Sequence, residues 1–358
     1  MRLSITSLLT SALAGGSVAH AAVAGAGAAR GPLPLPARTV FQLDDSIPGS
    51  WFENIAIRHN GDLLVTMLNP SASIYHIKDP LSSSTSVSAS VISLDPALAN
   101  GTLGIYETRP DVFVVAAALY SAFVVPVPGS FALWEIDLVS GTTRLIAKMP
   151  EAVSLNGVTG IRGSSVVLVA DYGLGLVWRV DVQTGAYEVA AKVPEMDPLP
   201  GAKLQLGVNG LKTRRARSGY YYDLYFSNSN RASIYRLAID ASGFQRPGAR
   251  AELVARFEAD NIDDFDIDDA TGDFWACTNF QNTVVVAKAR SAAAVGAVVV
   301  GSPTELTVAG DTALALGGET KWDRDIVYVV TGGAQGRPVN GTVTEPAKVV
   351  AVDRRGFR

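Results

Sequence analysis

The chain of 358 residues holds one cysteine, Cys277, and three histidines. A single thiol excludes a disulfide framework, a zinc–thiolate centre and a C-x-x-C redox pair. His20 falls in a segment read below as removed, and His59 and His76 alone are too few for a histidine-rich metal cluster. They also leave a Ser-His-Asp triad without its base. His59 belongs to a hairpin turn, Arg58-His59-Asn60-Gly61, and His76 to an outer strand, so both read as surface residues. Charge is scarce at 18% of residues, and 30 Lys+Arg against 34 Asp+Glu give none of the basic excess that a nucleic-acid partner requires. No Gly-rich loop follows a strand and opens a helix, which removes the usual phosphate cradle. After the N-terminal segment no uncharged apolar run reaches the ~18 residues of a membrane span. What the chain does have is hydrophobicity. At 48% hydrophobic residues and a net charge of −4 it is excluded from the disordered class.

The N-terminus reads as an address. Arg2 is followed by an uncharged stretch to Val18, and Ala19-His20-Ala21 has the A-x-A form of a signal-peptidase site. Residues 1–21 are therefore expected to be a signal peptide, residues 22–37 a flexible Ala/Gly/Pro-rich leader, and residues 38–358 one domain. Two sequons, at Asn100 and Asn340, fit a secreted glycoprotein, although a chain of this length also acquires such triplets by chance.

The remainder is repetitive. An apolar-apolar-small strand type recurs at Leu64, Val114, Leu168, Tyr225, Trp275 and Tyr328, spaced 50, 54, 57, 50 and 53 residues apart. A second type follows each copy, as in Ile74-Tyr75-His76-Ile77 and Val177-Trp178-Arg179-Val180, and a third precedes each, as in Ile55-Ala56-Ile57. Most alternate polar with β-branched or aromatic residues, the period of a half-buried strand. A fourth type closes five units, at residues 91–94, 144–147, 187–190, 253–256 and 304–308. It is missing after the sixth unit but present at the N-terminus, as Thr39-Val40-Phe41-Gln42-Leu43. Four-stranded units around an axis, with the first strand of the chain completing the last unit, predict an all-β, six-bladed β-propeller without open edges.

If each first strand descends the central channel and the second returns, the starts of the former and the ends of the latter share one rim. That rim collects Glu53-Asn54, Asn156-Gly157, Asn209-Gly210, Asp263-Asp264 and Asp311, together with Asp171-Tyr172, Asn228 and Asn279. Such residues either cap tight turns or converge on a ligand. The blocks Phe52-Glu53-Asn54-Ile55, Val208-Asn209-Gly210-Leu211 and Asp263-Asp264-Phe265-Asp266-Ile267 resemble the regucalcin/gluconolactonase-like propellers. The resemblance implies a divalent cation, usually calcium, held by Glu53, Asn209 and Asp263. It departs from the family pattern at Ile262-Asp263-Asp264, where the usual proline and glycine are missing.

The loops above the rim are apolar. Tyr120 to Pro128 carries no charge, and Trp51-Phe52 leads into the first blade. Long ordered loops are usually functional, and a greasy mouth suits a sugar lactone poorly. Within the family the chain resembles the fungal hetero-Diels–Alderases of tropolonic sesquiterpenoid pathways. That implies a [4+2] addition of a tropolone-derived quinone methide to a macrocyclic terpene such as humulene, with no cofactor required and apolar small molecules as partners. Such a reaction needs held geometry and oriented donors rather than a nucleophile. The expected catalytic set is Glu53, Asn54, Asn156, Asn209 and Asp264. The expected walls are Trp51, Phe52, Tyr120, Phe123, Tyr172 and Phe280, with Asn228. A calcium-dependent lactonase or esterase and a secreted small-molecule-binding propeller are the alternatives.

Overall fold

The computed structural model describes residues 33–82, 87–216, 219, 221–289 and 296–357. The expected signal peptide, residues 1–21, and most of the expected leader lie outside them. Six four-stranded antiparallel sheets follow one another in chain order, at residues 51–93, 101–148, 155–191, 208–256, 265–301 and 311–353, the last completed from the N-terminus. This is a six-bladed β-propeller. Among the described residues no helix is long and apolar enough to cross a membrane.

Ring closure follows the expected pairing. The N-terminal strand Ala37–Gln42 runs antiparallel to Lys348–Asp353, with Thr39 opposite Val350 and Gln42 opposite Lys348. Anchoring begins earlier than the sequence indicated. Leu35, read as leader, is buried among Trp275, Val299 and Val350, and its N–H donates to the Val299 carbonyl at 2.7 Å. An apolar side chain beside a blade gap is drawn in by the same burial that holds the strands.

One strand differs from expectation. The outer strand of the fifth blade is Ala297–Gly301, paired with Thr283–Ala287, and residues 304–308 form turns instead. Three consecutive valines, Val298 to Val300, meet the pleated surface better than a segment beginning at Pro303, which has no N–H to give to a ladder.

The core is divided by the ring. Six large apolar clusters lie at the six junctions between neighbouring blades; Phe52, Tyr75 and Tyr328, for example, fill the junction of the sixth and first. Buried hydroxyls tie the inner strands together. Thr102 Oγ1 bridges the Met67 N–H and carbonyl at 2.9 Å each, and Thr312 Oγ1 donates to the Phe52 carbonyl at 2.8 Å. The Asn-Gly pairs are placed by this packing rather than by turns. A Cβ on Gly157 would lie 2.5 Å from the Asn209 carbonyl, and one on Gly210 would lie 2.1 Å from Asp264 Oδ1. Glycine there lets adjacent inner strands approach, which carries the preceding asparagines to the channel.

Candidate functional site at the channel mouth

Inner strands reach the mouth through irregular register. Pairing shifts between Phe52 and Asn54 in the first blade, Leu155 and Val158 in the third, and Val208 and Leu211 in the fourth. Bulges of this kind re-aim side chains, and here Glu53, Asn156 and Asn209 lie within them. All three are buried. Trp51 Nε1 donates to Glu53 Oε2 at 2.6 Å, and Asn156 Nδ2 to Glu53 Oε1 at 3.2 Å. Across the ring Asp263 accepts from Asn209 Nδ2 at 2.9 Å and from Asn279 Nδ2 at 2.7 Å. Asp264 receives Asn54 Nδ2 at 3.0 Å and Lys212 Nζ at 3.2 Å. Both consecutive aspartates therefore serve the channel, Asp263 with the mouth amides and Asp264 with the lysine further along the inner strand.

Electrostatics follow from burial. Desolvation pushes the Glu53 carboxyl up to about 7, against the hydrogen bonds from Trp51 and Asn156, and the Asp264 charge adds to the rise. Desolvation also raises Asp263 well above the usual carboxylate range, with the Glu53 charge as the next cause. A carboxyl that keeps its proton up to about pH 7 is a ready acid. Since the folded value of Glu53 lies above its ordinary 4.5, its contribution to stability is whole below about pH 4.5 and is lost as pH rises through about 7. With chelator present, the melting temperature of Glu53→Gln relative to the native protein is expected to rise between pH 5 and 8. A difference that stays flat would show that Glu53 ionises normally.

The mouth is walled by aromatics. Phe123, 38% exposed, sits at the tip of a two-stranded ribbon built from Tyr120–Ala122 and Val125–Pro126, with its ring 5.4 Å from that of Trp51 in an edge-on contact. Trp51 lies across Gly332, and Gly336 separates it from Phe280. Tyr120 covers Gly101; burial pushes up the hydroxyls of both Tyr120 and Tyr172, and the Glu53 charge adds to the rise in each.

Two expected wall residues are elsewhere. Phe52 is fully buried against Phe41 and Tyr75 in the blade junction, because the bulge at Glu53 turns its neighbour away from the channel. Asn228 braces a loop: its Nδ2 donates to the Glu195 and Asp197 carbonyls, both at 2.9 Å. Of the two sequons, Asn340 is exposed, whereas the Asn100 carboxamide is engaged on both the N–H and the carbonyl of Tyr120. Sequence reasoning put Asn279 and Ser229 on the rim without giving either a role, and it passed over Lys212. Lys212 had a signal, a charge on an inner strand two residues past Asn-Gly. Among the described residues, His59 and His76 stay away from the mouth. His76 bonds Asp62, and His59 joins Glu107 and Asp111 on the opposite face, where Arg58 already pairs with Asp111 at 2.7 Å.

The donor set also accommodates a divalent cation. Asn209 Oδ1 is buried and has no hydrogen-bond partner among the described residues. Burial and then the Glu53 charge raise the proton affinity of Asp263 beside it, and a cation would relieve that repulsion.

A buried ring of carboxylates and carboxamides beneath an aromatic rim, at one end of a six-bladed channel, defines the class of propeller. No family model matches the chain. A protein of Phoma sp. carrying a provisional hetero-Diels–Alderase name is 31% identical over 322 residues, 83% of this chain and 87% of that relative. Another from Sarocladium schorii, similarly named, is 28% identical over 358 residues, 91% of this chain and 85% of its own. The chain belongs to this hetero-Diels–Alderase family. Solved structures share the fold at 13% identity. A luciferin-regenerating enzyme matches with a TM-score of 0.60, covering 90% of this chain and 97% of its own. The gluconolactonase of Xanthomonas campestris matches at 0.56, with 89% of each chain covered. The calcium-binding regucalcin of Agrobacterium tumefaciens matches at 0.55, with 89% of this chain and 94% of its own.

Proposed function

We propose that the protein is a hetero-Diels–Alderase that joins a tropolone-derived quinone methide to a macrocyclic terpene such as humulene at the channel mouth. The observation that carries this reading is a buried acid, Glu53, directly beneath an aromatic rim formed by Trp51, Phe123 and Phe280; the names of the relatives point the same way. Glu53 gives its proton to the leaving hydroxyl of a hydroxymethyl precursor, the C–O bond breaks and water departs. The ring hydroxyl then returns a proton to Glu53, and its electron pair completes the quinone methide. The addition that follows forms one C–C and one C–O bond and moves no proton. Holding both partners in reacting geometry can contribute roughly 7–11 kcal/mol of the barrier. Asn156 uses one N–H on Glu53 and keeps the second for the heterodiene oxygen, where charge grows; both N–H groups of Asn209 are already engaged by Ser229 and Asp263.

The reading is tested by incubating purified protein with the precursor and humulene and assaying for an enantio-enriched adduct. A racemic adduct at the background rate overturns it. Phe123→Ala is expected to lower adduct formation about a hundredfold, since misplacing partners by about 1 Å has that effect. Unchanged turnover would remove the ribbon from the site.

The unpartnered Asn209 Oδ1 favours one second reading, a calcium-dependent lactonase or esterase with the cation on Glu53, Asn209 and Asp263. When bound there, the ion would supply Lewis acidity toward a carbonyl. Hydrolysis that disappears with chelator and returns with calcium would select it.

A further inference from the structure

On the face opposite the mouth, at the seam where the sixth blade meets the first, lies a cleft of about 740 Å³. It is lined by Arg38 of the closing strand, Asn60 and Asp79 of the first blade, and Trp322, Asp323 and Tyr328 of the sixth. Two of these present polar atoms with nothing to bind. Asp323 is 1% exposed; its Oδ1 accepts the N–H and the hydroxyl of Thr320, both at 2.8 Å, while its Oδ2 has no partner among the described residues. The hydroxyl of Tyr328, fully buried, is also without one. Burying a polar atom without a partner is unfavourable, and two in one cleft call for a ligand that supplies hydrogen bonds. Burial and the Asp323 charge beside it hold the Tyr328 hydroxyl protonated, so it can donate as well as accept.

We propose that this cleft is a saccharide-binding site that takes a neutral hexose unit, independent of the channel mouth. Trp322 stands at its edge, 74% exposed, and Lys321 lies over the indole ring at 4.5 Å. An exposed indole packs against the C–H face of a pyranose, and the hydroxyls of the sugar both donate and accept, as Asp323 Oδ2 and Tyr328 require. Charge narrows the class. Arg38 and Arg355 of the lining oppose an organic cation, and Asp79, Asp323 and Asp353 oppose an anion, so a neutral polyhydroxylated ligand remains.

The test uses the full chain and ligand-observed NMR with D-glucose, D-mannose and N-acetylglucosamine, with choline and inorganic phosphate as charged probes. Saturable binding of at least one hexose is expected. Trp322→Ala and Asp323→Asn should each weaken it about tenfold, and Tyr328→Phe somewhat less. Adduct formation at the mouth should be unchanged. If Asp323→Asn does not fold, Trp322→Ala decides, because its side chain is exposed. Binding that is absent for all three sugars, is unaltered in Trp322→Ala, or is tighter for choline or phosphate overturns the proposal.

Discussion

A chain beginning at Asp44 is expected to yield no soluble monomer, whereas one beginning at Leu33 should fold. The difference is the strand Ala37–Gln42 with the residues flanking it. It completes the sixth sheet along Lys348–Asp353, and Leu43 continues the ladder with an N–H to the Ala347 carbonyl at 3.0 Å. Without it, a valine-rich strand becomes an open edge, a template for association with other chains. Leu35, Val40 and Leu43 are buried, at roughly 1.5–3 kcal/mol each. Their combined loss is comparable to the whole stability of an ordinary domain, about 5–15 kcal/mol. Soluble yield, gel filtration and a thermal melt of the two chains provide the measurement. A chain from Asp44 that is monomeric and melts with its longer counterpart would mean the ring holds without its clasp.

The second large effect concerns the proton on Glu53. Glu53→Gln retains an acceptor for Trp51 Nε1 but has no proton to give. Conversion starting from the hydroxymethyl precursor is then expected to fall by about 10²–10⁴, the usual range for a removed general acid. Supplying preformed quinone methide should restore the adduct, because the cycloaddition itself moves no proton. The native enzyme should show the matching pH dependence: with the acid at about 7, conversion of the precursor declines as pH rises through that value, while addition of the preformed quinone methide stays level. Chelator should leave both unchanged. If the preformed quinone methide fails to rescue the variant, Glu53 is needed for something other than dehydration, and loss of native activity on chelation would identify that role as holding a cation.

Much of the fold was legible because blades are local objects. Three of the four strands in every unit alternate or run apolar over a few residues, and the recurrence of Leu64, Val114 and Leu168 at similar spacing exposes the repeat. The outer strand of the fifth blade was misplaced for a related reason. Outer strands are largely solvated, so Ala297–Gly301 and residues 304–308 look alike until the ladder with Thr283–Ala287 selects one. The candidate site was legible in part. Glu53, Asn156 and Asn209 announced themselves as polar residues at inner-strand starts. The orientation of Phe52 and the loop contacts of Asn228 depended on a bulge and on a distant segment, neither of which has a local pattern.

Residue order alone thus determined the number of blades, the strands within them and the identity of the clasp, because each rests on periodic burial over short segments. The tertiary structure decided which side chains meet. Asn156 reaches Glu53 across 103 residues and Asn54 reaches Asp264 across 210, separations bridged only when the ring closes and brings inner strands side by side. It also decided the chemistry available to them. Whether a glutamate at a strand start is an ordinary carboxylate or an acid titrating near 7 depends on how completely its neighbours exclude water. That exclusion belongs to six blades packed together and to no one of them.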